Sequence, residues 1–462
     1  MRRIAANISI LIALTCIPCM AQDAAKVDTF VQTEMQRQRI PGLSLAVVKD
    51  SRIILAKGYG FANVENQVPV KTETIFQSGS VGKQFTAAAV MMLVEDGKLS
   101  LDDKITKYFT GAPESWQQIS VRHLLTHTAG TSDYPGDFDF RRDYTEDELL
   151  QRAQTIPLAF QPGEKWSYSN LGYVLLGVLI HKVSGKFYGD YLQERIFKPL
   201  EMNTARIINE ADIVPNRASG YRLLKGELKN QNWVSPSLNT TADGALYLTV
   251  YDMAKWDAAL YGEKLLRKSS LEQMWTPVRL NNGKSEKYGF GWALDEVRGH
   301  RIIEHGGSWQ GFKAQISRYV DDNLTVILFA NLAQANQAKL AHGVAAIYNP
   351  ELAPIPPKAI EDKEPEVTAR AKEYIQKLTT GKLEAPLFTP EAWTEISPNL
   401  EPAREFLKTL GQLNLIELIE RSEQDGNLVY RYRLNYKDSS SLFYSLVLTK
   451  DGKIAALRIR PE

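Results

Sequence analysis

The sequence predicts an α+β chain in two domains, a larger one holding an antiparallel sheet and apolar helices and a small α+β one at the C-terminus. Three observations carry this. The length of 462 residues exceeds one ordinary domain. Between Lys287 and Phe329, short strand-like runs follow one another across tight turns, the connection that antiparallel strands use. Pro350, Pro354, Pro356, Pro357 and Pro365, with charges between them, mark a linker over 350–366 that separates residues 22–349 from 367–462.

Residues 1–21 read as a secretory signal. Arg2 and Arg3 precede a short apolar run, and Cys19-Met20-Ala21 ends it before Gln22. The run is too short to span a bilayer, so the mature protein is expected outside the cytoplasm, periplasmic or secreted, without stable membrane insertion. Both cysteines, Cys16 and Cys19, fall in this segment. The mature chain would therefore lack thiols, which excludes disulfides, thiol catalysis and cysteine metal sites. Removing Arg2 and Arg3 takes 55 basic residues to 53 against 54 acidic ones, a net charge of −1. Nothing in that balance calls for nucleic acid or an anionic membrane as partner.

The elements then follow in order. Residues 23–39 predict an amphipathic helix with Val27, Phe30, Val31 and Met35 on one side, broken by Ile40-Pro41-Gly42. Residues 43–48 and 53–60 predict two strands about the turn Lys49-Asp50-Ser51. Next comes Ser78-Gly79-Ser80-Val81-Gly82-Lys83, opening a helix over 87–96 that is apolar on nearly every face and stops at Gly97. One helical turn brings the Lys83 amine to the Ser80 hydroxyl, and this is the chain's only Ser-x-x-Lys. Serine becomes a good nucleophile when a base takes its proton, and lysine is such a base where burial favours its neutral amine.

Two histidines, His123 and His127, lie on a predicted short helix over 123–130; without a neighbouring glutamate or further ligand they are read as capping or packing groups. Tyr168 and Asn170, the only Tyr-x-Asn, lie on a loop leading into a second apolar helix over 171–183. A phenol can relay a proton and an amide can grip a substrate carbonyl or amide, or the pair can simply pack and cap. Strands are predicted over 288–294, 301–304, 311–319 and 324–329, with a helix over 334–348 behind them. Beside the second of these strands, His305-Gly306-Gly307-Ser308 offers glycines that admit a substrate backbone and N–H groups that can hold an oxyanion; a plain β-bulge would use glycine the same way. Beyond the linker, helices over 367–378 and 403–410 precede alternating strands at 428–434, 442–448 and 454–459, with Asp451-Gly452 as a hairpin turn.

Taken together, these motifs resemble the penicillin-recognising serine hydrolases: class C β-lactamases, DD-peptidases, D-aminopeptidases and related esterases. The resemblance runs from Val27 to Tyr348 and includes Leu124-Leu125-Thr126-His127-Thr128-Ala129-Gly130, Phe160-Gln161-Pro162-Gly163 and Pro199-Leu200-Glu201-Met202. It implies the β-lactamase/transpeptidase-like fold, an antiparallel sheet flanked by helices beside an all-helical lobe. It further implies Ser80 as nucleophile, Lys83 as base and Tyr168 as proton shuttle. Asn170 with His305, Gly307 and Ser308 would hold the substrate, with the Ser80 and Ser308 amides as oxyanion hole and no cofactor or metal. Where β-lactamases of this group commonly carry Lys-Thr-Gly, this chain has His305-Gly306-Gly307, which removes a permanent positive charge that a substrate carboxylate would meet. Small esters or short D-amino-acid peptides are thus expected ahead of β-lactams, with a β-lactamase or DD-carboxypeptidase proper as the alternative. A penicillin-binding sensor or interaction protein is the alternative of another class. An α/β-hydrolase is disfavoured because Ser78 replaces the first glycine of its elbow and His-Gly-Gly follows the nucleophile. The C-terminal domain is loosely similar to small nuclear-transport-factor-like domains, and oligomeric state is left open.

Overall fold

The computed structural model describes residues 17–461 apart from 135, 209, 356, 425 and 438–440. The leader read over 1–21 falls outside the described residues except for the backbone of its last five. The chain forms two compact units, Met1–Ala353 and Pro354–Glu462.

In the first unit, α1 (Ile17–Gln38) leads into a hairpin of β1 (Gly42–Lys49) and β2 (Arg52–Asn63), followed by β3 (Val68–Pro69). Asp50 and Ser51 both take positive φ, 49° and 59°, as a tight two-residue hairpin turn requires. Four more strands lie far along the chain: β4 (Ala293–Val297), β5 (His300–Trp309), β6 (Phe312–Tyr319) and β7 (Leu324–Ala330). The sheet runs β4-β5-β6-β7-β1-β2-β3, and every pair is antiparallel. The hairpin therefore joins the C-terminal strands through β1 and β7, with Leu43 opposite Ala330.

Strand β1 is buried on both faces, and its alternation divides two cores. Leu43, Leu45 and Val47 meet Val27 and Val31 of α1 and Leu340 and Val344 of α6 (Gln337–Tyr348). Ala46 and Val48 face the larger core with the apolar helices α2 (Lys83–Glu95) and α4 (Asn170–Ser184). Both helices end as their sequence signals require, at Gly97 with φ 69° and at Gly185 with φ 71°. Between them, α3 (Val121–Leu125) is shorter than the helix predicted over 123–130. Ser120 caps it, and the chain leaves the helix at His127, which takes φ 57°.

On the same face of the sheet as α2 and α4 lies α5 (Val250–Ala259), which packs on β1 and β7. It carries Asp257, whose Oδ1 accepts from Arg318 Nε of β6 at 2.6 Å and from Thr325 Oγ1 at 3.0 Å. Both partners of this ion pair are 1% exposed. The guanidinium also stacks on Tyr261, 4.8 Å to the ring centroid, and on Trp275 at 5.2 Å.

The second unit holds α7 (Pro365–Thr380), α8 (Pro390–Ile396), α9 (Leu400–Thr409) and a four-stranded meander in chain order, β8 (Leu413–Gln424), β9 (Asn427–Tyr436), β10 (Ser441–Leu448) and β11 (Ile454–Pro461). One face of the sheet (Tyr430, Tyr432, Leu434, Tyr444, Leu446) packs with Ala371, Ile375 and Leu378 of α7. Strand β8 hides from a period-two reading because its pairing with β9 shifts register between Leu413 and Leu415 and again between Leu418 and Glu420.

Candidate active site

Ser80 sits not in α2 but in a 3₁₀ turn, Gly79–Gly82, that runs directly into it. Three glycines let backbone crowd this turn. A Cβ on Gly79, whose φ is +51°, would lie 2.4 Å from the Ser308 amide nitrogen. One on Gly307 would lie 1.9 Å from the Ser78 carbonyl oxygen and 3.2 Å from the Ser80 nitrogen, and one on Gly244 would lie 3.0 Å from that same nitrogen. Strand β5 thus lies against the serine turn with no side chain between, the Ser308 amide beside Gly79 and the Ser80 amide beside Gly307.

Lys83 is wholly buried. Its Nζ lies 3.1 Å from Ser80 Oγ, 2.8 Å from Asn170 Oδ1 and 2.6 Å from the Asp243 carbonyl oxygen. Asn170 opens α4, whose cap is the preceding Ser169, accepting from the Gly172 amide at 3.1 Å. The Asn170 amide is oriented by its bonds: Nδ2 donates to Asp133 Oδ2 at 2.9 Å, so Oδ1 must face Lys83. The amide oxygen and the Asp243 carbonyl can only accept. Ser80 Oγ is the third group within reach of Nζ, so the amine is positioned to take the serine proton when it is deprotonated, the geometry a general base needs.

Tyr168 lies close by, its ring centroid 4.9 Å from Lys83 Nζ. Its hydroxyl is buried and has no hydrogen-bond partner among the described residues. The ring packs mainly on His127, with centroids 4.2 Å apart, rather than on Trp166 at 6.5 Å.

Beneath Tyr168 runs a chain of hydrogen bonds whose direction is determined throughout. His305 Nδ1 lies 2.6 Å from the Gly306 carbonyl oxygen, which can only accept, so this nitrogen carries the hydrogen. His305 Nε2 is then the acceptor for Tyr288 Oη at 2.9 Å. His127 Nδ1 accepts from the Ser169 amide at 3.1 Å, which puts its hydrogen on Nε2, 3.2 Å from Tyr288 Oη. Both imidazoles are neutral. Burial depresses His305 to about 4, with Lys83 adding to the effect, and the same two causes hold His127 well below its ordinary value. His123 stands apart from this chain. Its Nδ1 accepts from the Ser120 amide at 3.2 Å and completes a capping box.

Stability should follow these rings. On unfolding, His305 returns from about 4 to about 6.5, so the unfolded chain binds more protons between those values. Stability is full above the unfolded value and is lost as pH falls toward the folded one. Urea midpoints of the first unit should decline between pH 7 and pH 5, and His305→Asn should flatten the decline; an unchanged slope in that variant would remove His305 from the account.

The cleft in front of Ser80 measures about 240 Å³ and is lined by Gly79, Ser80, Asp133, Tyr134, Phe140, Asn170, Leu238, Thr241, Asp243, Gly244, Ser308 and Trp309. Asp133, Tyr134 and Phe140 belong to the aromatic-rich loop 133–144, one of two loops that the sequence assigns to the cleft; the other, 221–236, supplies none of this lining, and Asp243 and Trp309 were not among the residues expected. Tyr288 was not either, although Tyr288-Gly289-Phe290-Gly291 signals close backbone approach: a Cβ on Gly291 would lie 2.7 Å from the Lys83 carbonyl oxygen.

A family model described as beta-lactamase matches residues 27–348. The chain belongs to the beta-lactamase family. Within that family it is similar to penicillin-binding protein 4* of Bacillus subtilis (strain 168), 33% identical over 332 residues, or 68% of this chain and 73% of that protein. A D-aminopeptidase of Brucella anthropi is 28% identical over 322 residues, covering 67% of this chain and 59% of the relative. Among solved structures, a D-amino acid amidase from Ochrobactrum anthropi SV3 aligns with a TM-score of 0.60 at 25% identity, over 71% of this chain and 97% of that one. An octameric penicillin-binding protein homologue from Pyrococcus abyssi shares the fold over 95% of this chain and 98% of its own, at TM-score 0.64 and 24% identity. The beta-lactamase-like architecture, antiparallel sheet with flanking helices, is thus as expected, and the protein is a serine hydrolase of this family.

Proposed function

We propose that the protein is an exported hydrolase that forms an acyl-enzyme on Ser80 and acts on small esters or short D-amino-acid peptides, with β-lactams poor substrates. The observation that carries this reading is the Lys83 amine, held 3.1 Å from Ser80 Oγ by two pure acceptors. In the reaction, Ser80 Oγ attacks the substrate carbonyl as its proton passes to Lys83. The oxyanion is held by the Ser80 and Ser308 amides, and Tyr168 passes the proton from Lys83 on to the leaving group, so that both side chains end as they began. Water then takes the leaving group's place and attacks the ester carbonyl, its proton passing by Lys83 to Ser80 Oγ as the acyl–oxygen bond breaks.

The neutral His305 supports the low rank of β-lactams, because it offers no positive charge to a carboxylate. Relatives named D-aminopeptidase support the D-amino-acid class. Export rests on the leader read over 1–21; among the described residues, no helix is long and apolar enough to cross a membrane.

The test is intact-mass analysis after exposure to a fluorophosphonate, with peptide mapping of the adduct, followed by rates on an ester, a D-peptide and a penicillin. One adduct on Ser80 and turnover of ester or D-peptide above penicillin is expected. An unmodified protein, or an adduct elsewhere, would end the proposal.

A further inference from the structure

Loop 221–236 takes no part in the cleft, yet residues 230–234 of it line a second groove, of about 630 Å³, next to that cleft. Asn239 joins the two. It lines the groove, and its Oδ1 accepts at 2.8 Å from the indole N–H of Trp309, which lines the cleft. The rest of the groove comes from residues between 210 and 220 and from Gln310 and Phe312 at the turn between β5 and β6.

Three features describe the guest that this groove suits. Trp233 lines it with 61% of its surface exposed, a broad flat ring open to contact. Side-chain amides stand around that ring: those of Asn232 and Gln310 make no hydrogen bond among the described residues, and Gln231 Oε1 is buried without a partner. An unpaired buried acceptor costs about 1–3 kcal/mol, a cost that a donor on the guest would lift. Charge, by contrast, is closed off. Arg217, the groove's only cation among the described residues, donates to Glu210 Oε2 at 3.0 Å, and Glu210 Oε1 accepts from Asn239 at 3.1 Å.

Those features disfavour two guests and fit a third. A nucleic acid would meet Glu210 and Asp212 with no cation to spare for its phosphates. A peptide is gripped through free backbone groups, and here they are taken. The Gln231 amide donates to the Gly220 carbonyl at 3.1 Å, the Tyr221 amide to the Asn331 carbonyl at 3.1 Å, and residues 221–224 pair with 227–230 in a hairpin. A sugar ring has hydroxyls around its edge that both donate and accept, and C–H groups on its faces. Amides set about an exposed indole match both.

We propose that this groove is a subsite for an uncharged saccharide, and that the substrate cleaved at Ser80 carries one. The first part stands on the groove alone; the second rests on the acyl-enzyme reading above.

The full chain would be titrated by calorimetry with cellotetraose and chitotetraose, beside tetra-alanine and a thymidine tetranucleotide. One or both sugars should bind, and Trp233→Ala should weaken that binding roughly tenfold, the scale of one lost stacking contact, with Gln310→Ala weakening it as well. Fluorophosphonate labelling of Ser80 at the wild-type rate in both variants would show that the fold and the catalytic groups are intact. For the second part, acetate release from an acetylated methyl cellobioside should exceed that from ethyl acetate by roughly tenfold in kcat/KM, and the advantage should vanish in Trp233→Ala. If neither sugar binds, if binding is unmoved by Trp233→Ala, or if the peptide or the nucleotide binds more tightly, the saccharide subsite is overturned. Sugar binding without an advantage for the sugar ester overturns the second part alone. If Ser80 takes no label in the wild type, the hydrolase reading falls and takes the second part with it, while the titration still decides the first.

Discussion

Replacing Lys83 with methionine lowers the rate at which Ser80 is acylated by roughly two to four orders of magnitude, the usual worth of a positioned general base. The side chain is close in length, but the group that takes the serine proton is gone. Methionine also strips the donor from Asn170 Oδ1 and the Asp243 carbonyl, and each orphaned acceptor costs about 1–3 kcal/mol. Lys83→Gln separates the two effects. Its NH₂ still supplies two hydrogens for those acceptors, yet it has no basic lone pair. Both variants should label slowly with fluorophosphonate, and the glutamine form should unfold closer to wild type. Labelling of both at the wild-type rate would show that another group deprotonates Ser80.

Asp257→Ala should destabilise the first unit by about 3–5 kcal/mol, because it strands the Arg318 guanidinium where water cannot reach it. The stacking on Tyr261 and Trp275 disperses part of that charge but replaces none of the lost carboxylate. Removing both partners together, as Asp257→Leu with Arg318→Met, should recover much of the loss, since an apolar pair of similar volume carries no desolvation cost. Urea unfolding followed by tryptophan fluorescence reads both variants. A single variant as stable as wild type would mean that the pair breaks even against solvent.

The fold was legible where local pattern and burial agree. The doubly apolar β1, the all-round apolar α2 and α4, and the short strands from 293 to 330 each carry one signal that tertiary packing reinforces. The site was legible through its motifs: Ser80, Lys83 and Asn170 meet at one amine, while Gly307 and Ser308 lie against the serine turn. What escaped notice came from irregular backbone. Asp243 reaches the cleft from a segment without periodicity, and loop 133–144 could be assigned to the cleft only as a whole: which of its side chains face Ser80 is decided by packing that no spacing rule records. His127 was expected within a helix over 123–130; the left-handed φ that turns its ring under Tyr168 depends on neighbours distant in sequence.

The pairing of β1 with β7 sets a timetable for synthesis. Leu43 leaves the ribosome long before its partner Ala330, and β5, which completes the pocket beside Ser80, emerges almost as late. Until then, the early hairpin has a bare edge and the serine turn lacks the strand that presses against it. Such distant pairing slows assembly and leaves apolar surface exposed while it waits. A nascent chain of this design carries Ser80 unsupported, and the site comes into being only when β5 closes the gap.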